Sequence, residues 1–529
     1  MTYMVLKRHL KTLIGTCLAC FVSFNLIAQD QWEQSIEKVL PDVLKTHRHF
    51  VSMPNVASNA DDMYKNIDWI SQEFFSRKFT VRLLESETLP IVLAERVIDP
   101  EARTILFYLH LDGQPVDASR WNQEDPFTPV LKAQNSSGEW EIIDWNKLDD
   151  PIDSEWRIFG RAAADDKAPI MMMLTALDLL DEQGLTPKYN IKIVLDCQEE
   201  AGSEAFLSTL EKYKKDYAAD YMLILDGPAH PSNQPTLTFG CRGIATCSIT
   251  TYGSKLPQHS GHFGNYAPNP VFVMSNLLSS MKDEQGRVLI KDYYKGIKID
   301  KETAAVFAAM PEDEASIQRG LCIHTPDQVG NTYQESLQYP SLNIRHVETS
   351  WKGPGLKTII PEYMTAHLDV RLVAETDGAK QLAKIKKHIK KQGFKVLDRA
   401  PTDEERLEYP KIVTFKGNSG VNAFRTDMNA GIGQELATTL KKAFGRKPVK
   451  IRTMGGTVPI IEAINTLEIP AIIVPMVNMD NNQHNPNENI RIGNIRDGIR
   501  MCIAILQMDL QPLKANSKSN HKPNKSVNQ

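Results

Sequence analysis

Cysteine is scarce in this sequence, with seven in 529 residues. That is too few for a disulfide scaffold, whose small domains depend on dense bridging. An excess of one charge sign is missing as well: 61 basic side chains face 65 acidic ones, for a formal net charge of −4. Such a balance gives no electrostatic reason to expect a nucleic-acid partner. Neither glycine (29) nor proline (30) is enriched, and no repeat of fixed period is present, which excludes collagen-like and low-complexity chains. Long apolar runs are absent except near the N-terminus, so a multi-span membrane protein is excluded too. What is left is 42% hydrophobic residues in a chain long enough for two to four domains at about 150 residues each.

The exception at the N-terminus carries information. Lys7, Arg8 and Lys11 precede an uncharged, mostly apolar run from Thr12 to Ala28, and the polar stretch QDQWEQ follows. The run is shorter than the ~20 residues of a spanning helix, which favours a cleaved secretory signal over an anchor. Residues 1–28 are therefore expected to be removed near Ala28, leaving an exported protein, periplasmic or secreted, with no stable membrane span. Loss of three basic and no acidic residues takes the formal charge from −4 to −7. Five scattered cysteines stay behind (Cys197, Cys241, Cys247, Cys322 and Cys502), too few and too odd in number to hold the fold. Residues 511–529, rich in Lys, Asn and Ser, read as a disordered tail.

Between residues 30 and 240, apolar runs of β type alternate with helical patterns, as in α/β layer structures. TILFYL (104–109), NIKIVLD (190–196) and YMLIL (221–225) read as strands, and the nearly all-apolar stretch 168–184 reads as a buried helix. The polar stretch 115–157 reads as a surface excursion. From about residue 243 the pattern becomes alternating, as in half-exposed antiparallel strands: GIATCSITTYG (243–253), SLNIRHVET (341–349) and PEYMTAHLDVRLV (361–373). Helical patterns at 269–281 and 378–393, followed by FKVLD (394–398), complete a β-α-β-β-α-β order, enlarged by a helical segment at 301–322. After about 405 the α/β style returns, with a helix in ELATTLKKAFG (435–445) and a strand in PAIIVPMV (470–477). The expected fold class is α/β: a catalytic domain with a mixed sheet (29–242 and 405–510), interrupted by a ferredoxin-like α+β domain (243–404).

Each predicted α/β strand exits into chemistry. TILFYL runs into His110-Leu111-Asp112, NIKIVLD leads to Glu199-Glu200, YMLIL to Asp226, and PAIIVPMV through a polar loop to His484; Asp165-Asp166 stands just ahead of the buried helix. Ligand groups in open α/β folds gather at the carboxyl ends of strands. Two imidazoles and several carboxylates converging there have the donor types of a dinuclear zinc-type site. Taken singly, each is weak: a lone His after a strand is more often a surface or capping residue, and an Asp there is most often a helix N-cap. Their coincidence at five places, each bearing metal-ligand chemistry, is what points to a metal site.

The blocks HLDGQP, GRAAADDKA, QEEAGS, LILDGP, FGCRG, PQHSG, IRTMGGTVP and HNPNE follow in that order over residues 110–488. In this series the chain resembles the carnosinase, aminoacylase and glutamate-carboxypeptidase family of dinuclear metallopeptidases, and its PQHSG and IRTMGGTVP blocks resemble the carnosinase-like dipeptidase branch. The resemblance implies a phosphorylase/hydrolase-like catalytic domain and two divalent ions, zinc first, with manganese or cobalt as alternatives. His110 and Asp226 would hold one ion, Glu200 and His484 the other, and Asp165 would bridge them through a carboxylate followed by a cis peptide. Asp112 would orient His110, and Glu199 would be the general base acting on a metal-bridging water. The inserted domain would serve as lid and dimerisation domain of a homodimer, with His259 reaching the neighbouring active site. Arg371 would pair with the substrate's terminal carboxylate, and Gly456 and Thr457 would line the same pocket through backbone and hydroxyl.

Against the family pattern, Ala162 and Ala168 replace glycines, Gln258 replaces an acidic residue, and Asp196-Cys197-Gln198 replace a glycine-rich lead. None of these removes a ligand or the base. The implied activity is hydrolysis of dipeptides or short peptides beside a free carboxylate. The rivals are an N-acyl amino acid amidohydrolase on the same scaffold and a non-catalytic binding protein with a decayed site.

Overall fold

Runs such as Ile-Leu-Phe-Tyr-Leu, apolar at every position, are satisfied only at the centre of a sheet covered on both faces. Thr104–His110 lies in such a place: every residue after Thr104 is buried. The computed structural model describes residues 31–510 apart from 354, 356 and 430, so the expected leader (1–28) and tail (511–529) lie outside the described residues. The sheet has eight strands, ordered Thr80–Leu84, Ile91–Arg96, Asn190–Asp196, Thr104–His110, Tyr221–Ile224, Ala471–Ile473, Thr236–Thr238 and Val449–Ile451. Its four central strands run parallel and the outer pairings make it mixed.

Helices cover both faces. Ala60–Ser76, Lys167–Glu182, Gly431–Phe444 and Ile492–Leu506 contribute to one core, and Glu204–Thr209 and Ile461–Leu467 to the other. Lys167–Glu182 has almost no polar stripe because it is enclosed by the sheet and by Ile492–Leu506. The two helices approach so closely that a Cβ at Gly498 would run into the side chain of Met172.

A second, five-stranded sheet has the order Asn343–Thr349, Tyr363–Leu372, Gly243–Tyr252, Ile412–Val421 and Lys395–Leu397. Gly243–Tyr252 alternates strictly between buried and half-buried residues, as its sequence predicts. Ala245, Cys247 and Ile249 on its inner face pack against Met274, Leu277, Ile385 and Ile389 of the helices Pro270–Ser279 and Gly378–Lys391.

Two expectations are corrected here. FKVLD contributes only the short edge strand Lys395–Leu397; the fourth main strand is Ile412–Val421, antiparallel to Gly243–Tyr252. The second sheet therefore runs on past the expected boundary at 404 to Val421. The cause is the makeup of that strand, whose first four residues are buried while Lys416 to Gly420 are exposed, so its apolar pattern fades half-way. The stretch 115–157 is also more than an excursion: Val130–Gln134, Trp140–Ile143 and Arg157–Phe159 form an antiparallel sheet with Asn489–Arg491. Leu131, Leu148 and Ile158 are buried beneath it.

Candidate metal centre

The parallel register decides which side chains meet. His110 is opposite Asp196, and Tyr108 is opposite Ile224, so three strands end at one level. His110 closes the first, a short 3-10 turn Glu199–Ala201 follows the second, and Asp226 lies just beyond the third. His484 arrives from the loop after Ala471–Ile473, with φ 62°, in the left-handed region that β-carbon sterics disfavour.

Asp165 is the hinge of the arrangement. One carboxylate oxygen is 2.8 Å from His110 Nε2 and the other 3.2 Å from His484 Nε2. Glu200 lies 3.1 Å from the same His484 nitrogen, and Asp226 4.0 Å from His110 Nε2. Two groups of donor atoms result, His110/Asp165/Asp226 and Asp165/Glu200/His484, each with its atoms within 4.8 Å of one another. The Asp165-Asp166 peptide is cis, in line with the resemblance.

The electrostatics fit a site that takes up cations. Burial, reinforced by Asp226, Glu200 and Asp165, holds the Glu199 carboxyl well above its usual range despite the nearby His110. Asp226 is pushed up to about 6 by burial and by Asp165. For Asp165, burial is outweighed by hydrogen bonds with both imidazoles, which pull it down. Hydrogen bonds with Asp165 and Glu200 push His484 up to about 10. Asp226 resisting ionisation, and imidazoles holding protons against Asp165, mark positions that divalent ions would fill with less repulsion. The residues thus fit the implied pair of ions.

Supporting contacts fix these groups. Asp112 is fully buried and accepts the backbone N–H of Glu199 (2.9 Å) and Glu200 (3.1 Å), so it holds the whole Glu pair in place. Its backbone carbonyl is 3.1 Å from His110 Nδ1, while its carboxylate is 3.5 Å away. Both the carbonyl and the carboxylate of Asp112 thus face the imidazole and orient it. Gln114 donates to Glu200 at 2.7 Å.

Glu488 was not singled out from the sequence, although it closes the HNPNE block four residues after His484. It is buried and accepts from Arg161 Nη1 (2.6 Å) and from the backbone N–H of Ala162, Ala164 and Asp165 (3.1, 3.0 and 3.0 Å). Burial pushes it up to about 7, against the pull of Arg161. One carboxylate thus ties the His484 loop to the loop carrying the shared ligand.

Arg371, Gly456 and Thr457 also come together. Arg371 Nη1 donates to Thr457 Oγ1 (2.8 Å), which donates to the carbonyl of Arg242 (2.7 Å), whose N–H donates to the Gly456 carbonyl (3.1 Å). Arg242, in the FGCRG block, is a further cation there, lowered to about 10 by burial and by Arg371. His259 stands apart. It is exposed, accepts from the N–H of Gly261 (3.0 Å), sits 4.8 Å ring to ring from His262, and belongs to neither donor group.

Two donor groups hinged on a shared carboxylate have the makeup of a dinuclear metal centre. Residues 106–508 match peptidase family M20/M25/M40, and the chain belongs to that family. It is similar to the Cys-Gly metallodipeptidase dug1 of Schizosaccharomyces pombe, 24% identical over 459 residues that cover 85% of this chain and 89% of the relative. The Beta-Ala-His dipeptidase of Homo sapiens is 25% identical over 423 residues, covering 78% and 76% of the two chains. Among solved structures, the M20 family metallo-carboxypeptidase Sso-CP2 from Sulfolobus solfataricus shares the fold with a TM-score of 0.68 and 23% identity, covering 88% of this chain and 98% of that one. Human carnosine dipeptidase 1 does so with a TM-score of 0.66 and 21% identity, covering 90% and 98%. The protein is a dinuclear metallopeptidase of that family.

Proposed function

We propose that the enzyme hydrolyses dipeptides or short peptides at the amide bond next to a free carboxylate. The observation that carries this reading is the pair of donor groups sharing Asp165, with the carboxylate of Glu199 beside them and outside both. The names of the relatives, a Cys-Gly metallodipeptidase and a Beta-Ala-His dipeptidase, support dipeptides as the substrate class.

In this reading His110 and Asp226 hold one ion, Glu200 and His484 the other, and Asp165 both. Hard oxygen and imidazole donors accept zinc, manganese or cobalt, with zinc our first assignment. Bound there, the ions would polarise the scissile carbonyl and make water nucleophilic at neutral pH. Glu199 takes the proton of the attacking water and passes it to the leaving amine, a task open only to a carboxylate that no ion occupies. The Asp112 carboxylate positions Glu199 by accepting the Glu199 backbone N–H. Arg371, held by Thr457 beside Gly456, pairs with the substrate's terminal carboxylate. Zinc-loaded protein is expected to cleave a panel of unblocked dipeptides and to lose this activity on chelation. Turnover confined to N-acetyl amino acids would replace the peptidase reading by that of an N-acyl amino acid amidohydrolase.

The domain built on the second sheet acts, in this proposal, as lid and dimerisation domain of a homodimer, and His259 completes the partner's site by polarising the substrate carbonyl. His259→Ala is then expected to lower kcat by about 10²–10³, the usual cost of one oxyanion donor, with metal content unchanged. A fully active monomer would end the cross-subunit role. The enzyme is proposed to work outside the cytoplasm after removal of residues 1–28; among the described residues no helix is long and apolar enough to cross a membrane.

A further inference from the structure

The antiparallel sheet Val130–Gln134, Trp140–Ile143, Arg157–Phe159 and Asn489–Arg491 uses its two faces differently. Leu131 and Ile158 turn one face into the main core. On the other, the register sets Lys132 directly opposite both Ile142 and Arg157, and Gln134 opposite Trp140. Residues opposed in this way share a face. That face is the floor of a cleft of about 600 Å³, walled by Asp480, Asn482 and Asn487 of the loop that carries His484. None of the donor residues of the metal centre lines it, so the cleft is separate from that site. Its size suits a small organic molecule.

Lys132 sets the chemistry of the cleft. Its side chain is 3% exposed, and its ammonium lies 4.4 Å from the centre of the Phe159 ring. It donates to the carbonyl of Asn122 (3.2 Å), which leaves two of its three N–H donors without a protein acceptor among the described residues. No neighbouring charge offsets this burial, which lowers Lys132 below its ordinary value. Two carboxylates do line the cleft, but Asp480 is engaged by Arg157 Nη2 (2.7 Å) and Asn478 Nδ2 (2.9 Å), and Glu139 stands exposed beside Asn135 (3.3 Å). Arg157 Nε is also buried without an acceptor. Enclosing an ammonium in this way is costly unless an acceptor meets it, and one negative charge would match one ammonium. Next to it the wall turns apolar: Ile142 is 62% exposed and Trp140 is half-buried. An inorganic phosphate would leave that wall uncovered.

We propose that this cleft binds a small monocarboxylic acid with an apolar body, the carboxylate on the Lys132 ammonium and the body against Ile142 and Trp140. Plain aryl or alkyl acids and free amino acids with apolar side chains share this chemistry. The test is calorimetric titration of the metal-loaded enzyme with 3-phenylpropanoate, L-phenylalanine and the neutral 3-phenylpropanamide. 3-Phenylpropanoate is expected to bind at one site per chain, and the amide at least about 10-fold more weakly, the scale of a hydrogen bond to a charged group. L-Phenylalanine bound as tightly as 3-phenylpropanoate would assign the cleft to amino acids, and weaker binding would assign it to plain acids. Lys132→Met keeps the buried stem without the charge, and Ile142→Glu places a fixed carboxylate opposite Lys132 from an exposed position. Each should weaken 3-phenylpropanoate by at least about 10-fold, while dipeptide turnover in acid-free buffer stays at the native level. No binding by the native enzyme, equal affinity for the amide, or undiminished binding by Ile142→Glu would overturn the proposal. So would loss of binding in Arg371→Ala, which would put the acid in the substrate pocket. Displacement by an equal concentration of inorganic phosphate would overturn it too, since the cleft would then take anions at large.

Discussion

Glu199→Gln is expected to lower kcat on any cleaved dipeptide by about 10²–10⁴-fold, the usual contribution of a positioned proton-transfer group. The substitution keeps the shape of the side chain and the turn Glu199–Ala201, whose N–H groups are held by Asp112 rather than by Glu199 itself. Metal content, measured by mass spectrometry of the desalted protein, should match the native enzyme, because Glu199 belongs to neither donor group. Those two readings together separate a proton carrier from a ligand. Parallel loss of metal and rate would mean that Glu199 binds an ion, and native turnover by the Gln variant would remove it from the chemistry.

The largest expected effect on stability falls on Glu488. Glu488→Ala leaves the buried Arg161 guanidinium without its carboxylate and takes the acceptor from three backbone N–H groups. Breaking a buried ion pair from one side costs about 3–5 kcal/mol. Glu488→Gln keeps an acceptor oxygen and should cost about 1.5–3 kcal/mol, the scale of a hydrogen bond to a charged group. Chemical denaturation of the metal-free variants reads both values. Metal affinity should fall alongside, by the 10–100-fold typical of residues that orient ligands, since the clamp joins the His484 loop to Asp165. A Glu488→Ala protein that unfolds at the native midpoint and holds metal normally would show that the clamp carries no load.

Much of the site was legible because strand ends are legible. Thr104–His110 and Asn190–Asp196 are apolar without interruption, so the residues following them had to emerge at the sheet's edge. Convergence was harder to read, since the parallel register that sets His110 level with Asp196 is a property of pairing, not of either strand alone. Glu488 is not legible in the sequence, because a buried carboxylate and a solvated one look alike there; only its four donors distinguish it. The second sheet was read well where burial alternates cleanly, as in Gly243–Tyr252, and missed in Ile412–Val421, whose exposed half carries glycine, lysine and serine. His259 lies outside both donor groups: it pairs with Ile359 in a two-stranded sheet, and its ring lies near that of His262.

The strand order of the first sheet has a consequence for synthesis. Tyr221–Ile224 pairs with Ala471–Ile473, although the entire second sheet separates them in the chain. As the protein is made from its N-terminus, His110, Asp165, Glu200 and Asp226 are all present long before His484 and Glu488. The nascent polypeptide can therefore offer one donor group while the other lacks its imidazole, and the shared carboxylate lacks the clamp that steadies its loop. Completion of the centre is thereby tied to arrival of the segment from Ala471 to Glu488, when the strand Ala471–Ile473 pairs with Tyr221–Ile224. A centre assembled in this order is incomplete until His484 has been made.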